Sequence, residues 1–149
     1  MQHAVAARTP AHVWIVGILS LLWNCFGAYD YLMTRLHNMD YLANMGGDPK
    51  VMLAYIEGMP MYAQVGWGLG VWASVLGSVL LLMRSRYAVP AFALSLIGAV
   101  LSMIPQYLGP PAPPEMTAGA MKYMPLLILA IIALQLWYAW RQSQARVLR

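Results

Sequence analysis

The sequence predicts an all-α integral membrane protein, a bundle of four transmembrane helices with a short external amphipathic helix. Four long apolar segments, at about 13–34, 62–83, 88–108 and 123–140, take up most of the 149 residues. A helix needs about 20 apolar residues to cross the hydrocarbon core of a bilayer. The chain is 61% hydrophobic and 9% charged, whereas soluble domains carry about 25% charged residues. Residues 1–149 therefore form a single membrane domain.

Charged residues are distributed unevenly between the two ends of this predicted bundle. One end holds no acidic residue and six of the nine basic ones, namely Arg8, Arg84, Arg86, Arg141, Arg146 and Arg149. Short cytoplasmic segments of membrane proteins are enriched in Lys and Arg. We therefore expect a bacterial inner-membrane protein with both termini in the cytoplasm and the basic tail against anionic lipid head groups. The net charge of +4 requires no nucleic-acid partner.

The external amphipathic helix is predicted within the longest connection, residues 35–61. Asp48 can cap a helix and Pro49 suits its first position, while Gly58 and Pro60 can end it. Its apolar side would lie on the membrane surface or cover the outer end of the bundle.

Small residues recur along the second and third long segments. They are Gly66, Gly70, Ser74, Gly77 and Ser78 in the second, with Ser95 and Gly98 in the third. Faces of this kind let two helix backbones approach closely in a membrane. The partner could be another helix of the same chain or a second copy, and we expect the hairpin partner within the chain.

Four polar residues are candidates for a substrate path: Asn24, Asp30 and Tyr31 in the first segment and Gln135 in the fourth. A buried Asn in hydrocarbon needs a hydrogen-bond partner and should face the bundle interior. Gln135 could supply a polar contact to Ser20 or Asn24. The alternative interpretation is that these groups only hold helices together.

Catalytic and metal signatures are weak in this sequence. Twelve methionines are present, and thioethers favour Cu(I), so Met59 and Met61 with His37 form a third and weakest hypothesis of copper binding. Methionine is also a flexible filler of apolar surfaces. The single cysteine, Cys25, excludes an internal disulfide. No nucleophile, phosphate-loop or haem pattern is present, so we expect a protein that is not an enzyme and has no cofactor.

Three stretches carry a resemblance to known proteins: Trp23–Tyr31, Gly77–Phe92 and Ser95–Gly98. They resemble a group of small four-helix proteobacterial inner-membrane proteins of unestablished function, some of them loosely labelled sugar transporters. The resemblance implies a bacterial membrane protein with four helices, and it implies no particular substrate or binding residues.

Together these observations favour a small multi-pass inner-membrane protein that transports a sugar-like solute as an oligomer. A non-catalytic accessory or scaffold subunit is the alternative, and copper handling is the third hypothesis. The expected partners are the lipid bilayer and either a second copy of the chain or another membrane protein.

Overall fold

The computed structural model describes residues 8–149, and this part of the chain is all α-helical, without strands. Its helices are α1 Ala11–Arg35, α2 Met39–Asn44, α3 Pro49–Glu57, α4 Met61–Leu82, α5 Ala88–Leu108, α6 Pro114–Thr117 and α7 Met124–Gln144, with a 3-10 turn at Gly119–Tyr123. Four of them, α1, α4, α5 and α7, are long and apolar enough to cross a bilayer. The predicted helical class with four span-length helices is therefore confirmed.

The ends of the long helices follow the hydropathy pattern closely, except at the end of α7. The apolar segment predicts an end at Trp140, but α7 continues to Gln144. Arg and Gln are good helix formers, so the helix continues where the hydropathy falls. The last turn of α7 thus carries Arg141, a cation at a helix C-terminus, where the helix dipole favours positive charge.

The four long helices lie in the spatial order α1, α4, α5, α7, each antiparallel to the next. The start of α1 meets the end of α4, where Gly17 faces the side chain of Leu82. The most extensive packing is between α4 and α5. A hydrogen bond between Asn24 and Gln135 joins α7 back to α1.

The interface of α4 with α5 is formed by backbone against backbone. A Cβ added to Gly98 would lie 2.5 Å from the nitrogen of Gly70 and 2.6 Å from the carbonyl oxygen of Gly66. The Ser95 hydroxyl donates a hydrogen bond of 2.7 Å to the Gly70 carbonyl oxygen. This approach is possible only because these residues are small, and it lies within one chain.

A cap of short helices covers one end of the bundle. The predicted amphipathic helix is α3, where the Asp48 carboxylate accepts from the backbone nitrogen of Lys50. Its buried Met52 and Leu53 pack against Leu42 of α2, with Met116 of α6 beside them. Helices α2 and α6 are too short for their periodicity to be recognised in sequence, so the cap is larger than predicted.

The opposite end, which we call the basic end, is closed by the last residues of the chain. Leu148 is buried in a cluster with Leu81, Phe92 and Ala139. Gly77 leaves room for the Phe92 ring in the same region. The chain after α7 therefore folds back under the bundle and packs against the end of α4 and the start of α5.

Backbone hydrogen bonds fix this return. The nitrogen of Arg149 donates to the carbonyl oxygen of Arg84 at 2.7 Å, and the nitrogen of Arg86 donates to the carbonyl oxygen of Arg149 at 2.8 Å. The guanidinium of Arg84 donates to the Thr9 hydroxyl at 2.7 Å. Residues from before α1, between α4 and α5, and after α7 are thus gathered at the basic end.

Candidate functional site

A buried polar cluster joins α1, α4 and α7 halfway along the bundle. The side-chain nitrogen of Asn24 donates to the Ser78 hydroxyl at 2.8 Å and lies 3.1 Å from the Ser74 carbonyl oxygen and 3.3 Å from Gln135 Oε1. The Ser78 hydroxyl in turn donates to the Ser74 carbonyl oxygen at 2.9 Å. Asn24 and Gln135 are only 5% and 6% exposed. The cluster is therefore almost fully buried.

Helical spacing places these side chains together. Ser20, Asn24 and Ala28 are four residues apart and form the buried face of α1, as the 3.6-residue repeat requires. Ser74 and Ser78 have the same spacing on α4, so both reach Asn24. The small residues of α4 thus contact two neighbouring helices: Gly66 and Gly70 lie against α5, and Ser74 and Ser78 lie against α1.

A groove lies beside this cluster between α1 and α7. It has a volume of about 370 Å³ and is lined by Val16, Leu19, Ser20 and Trp23 of α1 with Ile131, Leu134, Gln135, Trp137 and Tyr138 of α7. We call it the α1–α7 groove. Ser20 and Gln135 are the only amide or aliphatic hydroxyl side chains in its wall, so its chemistry is mostly apolar.

Asp30 lies near the cap, away from Asn24. The Tyr41 hydroxyl of α2 donates to its carboxylate at 2.8 Å. Burial, together with this hydrogen bond and the charge of Asp30, raises the pKa of Tyr41 to about 12. The bond ties α2 to α1, so Asp30 holds the cap onto the bundle.

Tyr31 faces α4 and belongs to an aromatic cluster around Arg35. Its ring packs edge-on against Trp67 at 4.8 Å between centroids, and the Arg35 guanidinium lies 5.5 Å from the Tyr31 ring and 5.4 Å from the Trp67 ring. Arg35 also donates to Gln64 Oε1 at 3.1 Å. Cations over aromatic faces are stabilised by the ring quadrupole.

Sequence reasoning missed this aromatic cluster. Tyr31 and Arg35 have the i, i+4 spacing of neighbours on one helix face, which is the signal that could have found it. Their partners on α4 could not be identified without the antiparallel pairing of α1 with α4.

The candidate copper ligands each have separate surroundings. His37 Nε2 lies 2.7 Å from a carboxylate oxygen of Glu57, and Met61 is 75% exposed at the start of α4. Met59 is half-buried, and its carbonyl oxygen accepts from the Gln64 amide at 2.9 Å. Over residues 8–149, no group of three or more His, Cys, Asp and Glu side chains could hold a metal ion. Cys25 is a free, exposed thiol on α1.

The structure therefore brings together two of the four candidate path residues, Asn24 and Gln135. Asp30 and Tyr31 lie near the cap and contact different partners, α2 and α4 respectively. Comparison of the chain with protein-family models, with curated proteins and with solved structures gave no match. A function for the chain has to be inferred from its own residues.

Proposed function

We propose that this chain is a bacterial inner-membrane protein that crosses the bilayer four times, with both termini in the cytoplasm. The outward faces of its long helices carry many exposed large apolar side chains, which a soluble protein rarely presents as contiguous surface. Polar side chains at mid-bundle are instead buried and bonded to one another. The concentration of arginine at one end supports the proposed orientation.

Within the membrane, we favour the role of a non-catalytic accessory or scaffold subunit. The observation that carries this proposal is the buried cluster around Asn24. Its side-chain nitrogen is engaged by groups of α4 and α7, so it joins three helices. Interhelical bonds of this kind contribute about 1 kcal/mol to helix association.

An oligomeric transporter of a sugar-like solute is the second candidate. The α1–α7 groove supports it, because the groove is about 370 Å³ in volume and has Ser20 and Gln135 in its wall. Two copies would be needed to enclose such a groove as a path. Copper handling has the least support, because His37 pairs with Glu57 and Met61 is 75% exposed.

Membrane insertion and orientation are tested with one set of variants. The chain should remain in the membrane fraction after alkaline carbonate extraction. In a Cys25→Ser background, Thr117→Cys at the cap end should react with an impermeant maleimide in intact spheroplasts, and Ser143→Cys at the basic end only after permeabilisation. Release by carbonate would overturn insertion, and the reversed labelling pattern would overturn the orientation.

The role is tested by uptake of radiolabelled monosaccharides and disaccharides into proteoliposomes. A scaffold subunit should give no uptake above empty vesicles. The scaffold role would be overturned in favour of transport if the unaltered protein takes up a sugar and Asn24→Leu abolishes this uptake. The control Cys25→Leu, on the exposed face of the same helix, should then leave uptake unchanged. Far-UV circular dichroism of both variants establishes that the bundle is intact.

A further inference from the structure

The basic end of the bundle also carries an apolar groove on its outer surface. The groove lies between α5 and α7, has a volume of about 370 Å³ and is lined by Val89, Leu96, Ala133, Leu136, Trp137 and Trp140. We call it the α5–α7 groove. Trp137 and Trp140 are about half exposed, so the groove is open along the side of the bundle.

Two arginines flank the mouth of this groove, one on α7 and one in the connection that leads into α5. Arg141 follows Trp140 directly, and its guanidinium lies 5.9 Å from the Trp137 ring centroid. Arg86 lies three residues before Val89, and its guanidinium is 5.6 Å from the Tyr87 ring centroid. Both arginines are exposed. Two fixed cations therefore lie where the apolar groove reaches the end of the bundle.

The return of the chain adds a third arginine to the mouth. The carbonyl oxygen of Arg149 accepts from the nitrogen of Arg86 at 2.8 Å, which holds Arg149 beside the connection from α4 to α5. Segments 84–86 and 141–149 contain no Asp or Glu. No acidic side chain of these two segments therefore balances the positive charge of the arginines at the groove mouth. A bound anion could balance it.

We propose that an anionic phospholipid binds at the basic end, with its phosphate on Arg86 and Arg141 and an acyl chain in the α5–α7 groove. Charge complementarity selects this occupant, because a basic pocket between transmembrane helices on the cytoplasmic side suits an anionic head group. The length of the groove supports it too. Its lining runs from Ala133 to Trp140, a rise of about 10 Å along a helix, which suits an extended acyl chain.

This site rests on the membrane insertion proposed above, and its test starts from protein that has passed the carbonate extraction. The full chain is reconstituted in phosphatidylcholine bilayers containing spin-labelled phosphatidylglycerol or spin-labelled phosphatidylcholine. The immobilised fraction in the electron paramagnetic resonance spectra gives the relative association of the two lipids. We expect at least a fivefold preference for phosphatidylglycerol, since a membrane-proximal arginine contributes about that factor. Equal association in inserted protein would overturn the lipid site and leave the insertion standing.

Two pairs of variants separate charge from groove. The double variant Arg86→Gln/Arg141→Gln should reduce the preference for phosphatidylglycerol over phosphatidylcholine to near unity. Its control, Lys122→Gln, removes a cation beside Tyr123 at the opposite end and should leave the preference unchanged. Ala133→Trp fills the α5–α7 groove and should also lower phosphatidylglycerol association severalfold. Its neighbour Leu134→Trp, which projects into the α1–α7 groove, should not.

Soluble phosphate provides the last arm of the test. Glycerol 3-phosphate at millimolar concentration should not displace spin-labelled phosphatidylglycerol, because it lacks the acyl chain that the groove holds. Two results would overturn the proposal in favour of a site for a free anion. One is displacement of the lipid by glycerol 3-phosphate, and the other is an Ala133→Trp variant that binds phosphatidylglycerol as well as the unaltered protein does.

Discussion

Helices α5 and α7 have similar length and hydropathy, but they are held in the bundle in different ways. In its most apolar 18-residue stretch α5 has 44% of its residues buried, whereas the corresponding figure for the last helix is 11%. Most buried residues of α5 are small, and Ser95 and Gly98 among them lie against the glycines of α4. The buried positions of α7 are few, namely Ile132, Gln135 and Ala139.

This difference is the one expected for helices in the bilayer that we propose for this chain. Lipid tails are as apolar as leucine, so burying a leucine between helices brings no hydrophobic gain, and association depends on close packing and interhelical hydrogen bonds. Helix α5 has both, through Gly98 and Ser95. Helix α7 has two side-chain hydrogen bonds to α1, one between Gln135 and Asn24 and one between Tyr138 and His12. Its large outward side chains leave its surface free for lipid or for another membrane protein.

The largest expected effect comes from breaking the close interface of α4 with α5. Gly98→Ala should destabilise the bundle by about 2 kcal/mol or more, because its Cβ would meet backbone atoms that cannot move aside. Gly27→Ala on α1 is the matched control, since a Cβ there meets nothing within 4 Å, and it should change the stability by less than about 0.5 kcal/mol. Unfolding in mixed micelles of increasing dodecyl sulfate content measures both. Equal stability of the two variants would show that the interface is not close-packed.

The second prediction examines how α7 is held. Ile132 is 4% exposed and Leu134 is 63% exposed on the same helix. Ile132→Ala should cost about 1–2 kcal/mol, mainly through lost packing contacts, and Leu134→Ala should cost less than about 0.5 kcal/mol. The same unfolding assay decides. A cost at Leu134 equal to that at Ile132 would mean that the outer face of α7 is covered in the purified protein.

The third prediction separates interhelical from intrahelical hydrogen bonds on α5. The Ser95 hydroxyl donates to Gly70 of α4, whereas the Ser102 hydroxyl donates to Ala99 of its own helix at 2.8 Å. Ser95→Ala should cost about 1 kcal/mol and Ser102→Ala close to nothing, because only the first removes a contact between helices. If the two substitutions have the same effect on unfolding, the bond to Gly70 does not contribute to the interface.

The smallest expected effect concerns the cap. The pKa of Tyr41 in the folded protein is about 12, against an ordinary value of 10.0. The contribution of Tyr41 to the free energy of unfolding is therefore fully present below pH 10 and is lost as the pH rises from 10 to 12. Absorbance titration at alkaline pH should show a late-titrating component that loses one tyrosine in Tyr41→Phe and shifts partly towards pH 10 in Asp30→Asn. Tyr123→Phe is the control. A late titration that Asp30→Asn leaves in place would assign the shift to burial alone.

Much of the fold follows from properties that are local in sequence. The four spans, the Asp48 cap of α3 and the small-residue faces of α4 and α5 are each visible within one segment. The contacts of the candidate site are different, because each joins segments that are far apart in the chain. The sequence placed Asn24 at mid-span and Gln135 in another span, but the pairing of Asn24 with Ser74 and Ser78 requires the register of α1 against α4.

The sequence by itself determined the helical class, the number of span-length helices and the separation of basic from acidic residues, because these depend only on apolar length and on the order of charges along the chain. Only the tertiary structure decided which polar side chains meet and that Asp30 and Tyr31 lie away from Asn24. It also decided that arginines of α7 and of the connection from α4 to α5 flank one apolar groove. Those outcomes depend on which helix faces are adjacent and on how far each helix is rotated and shifted against its neighbour, and no single segment specifies that.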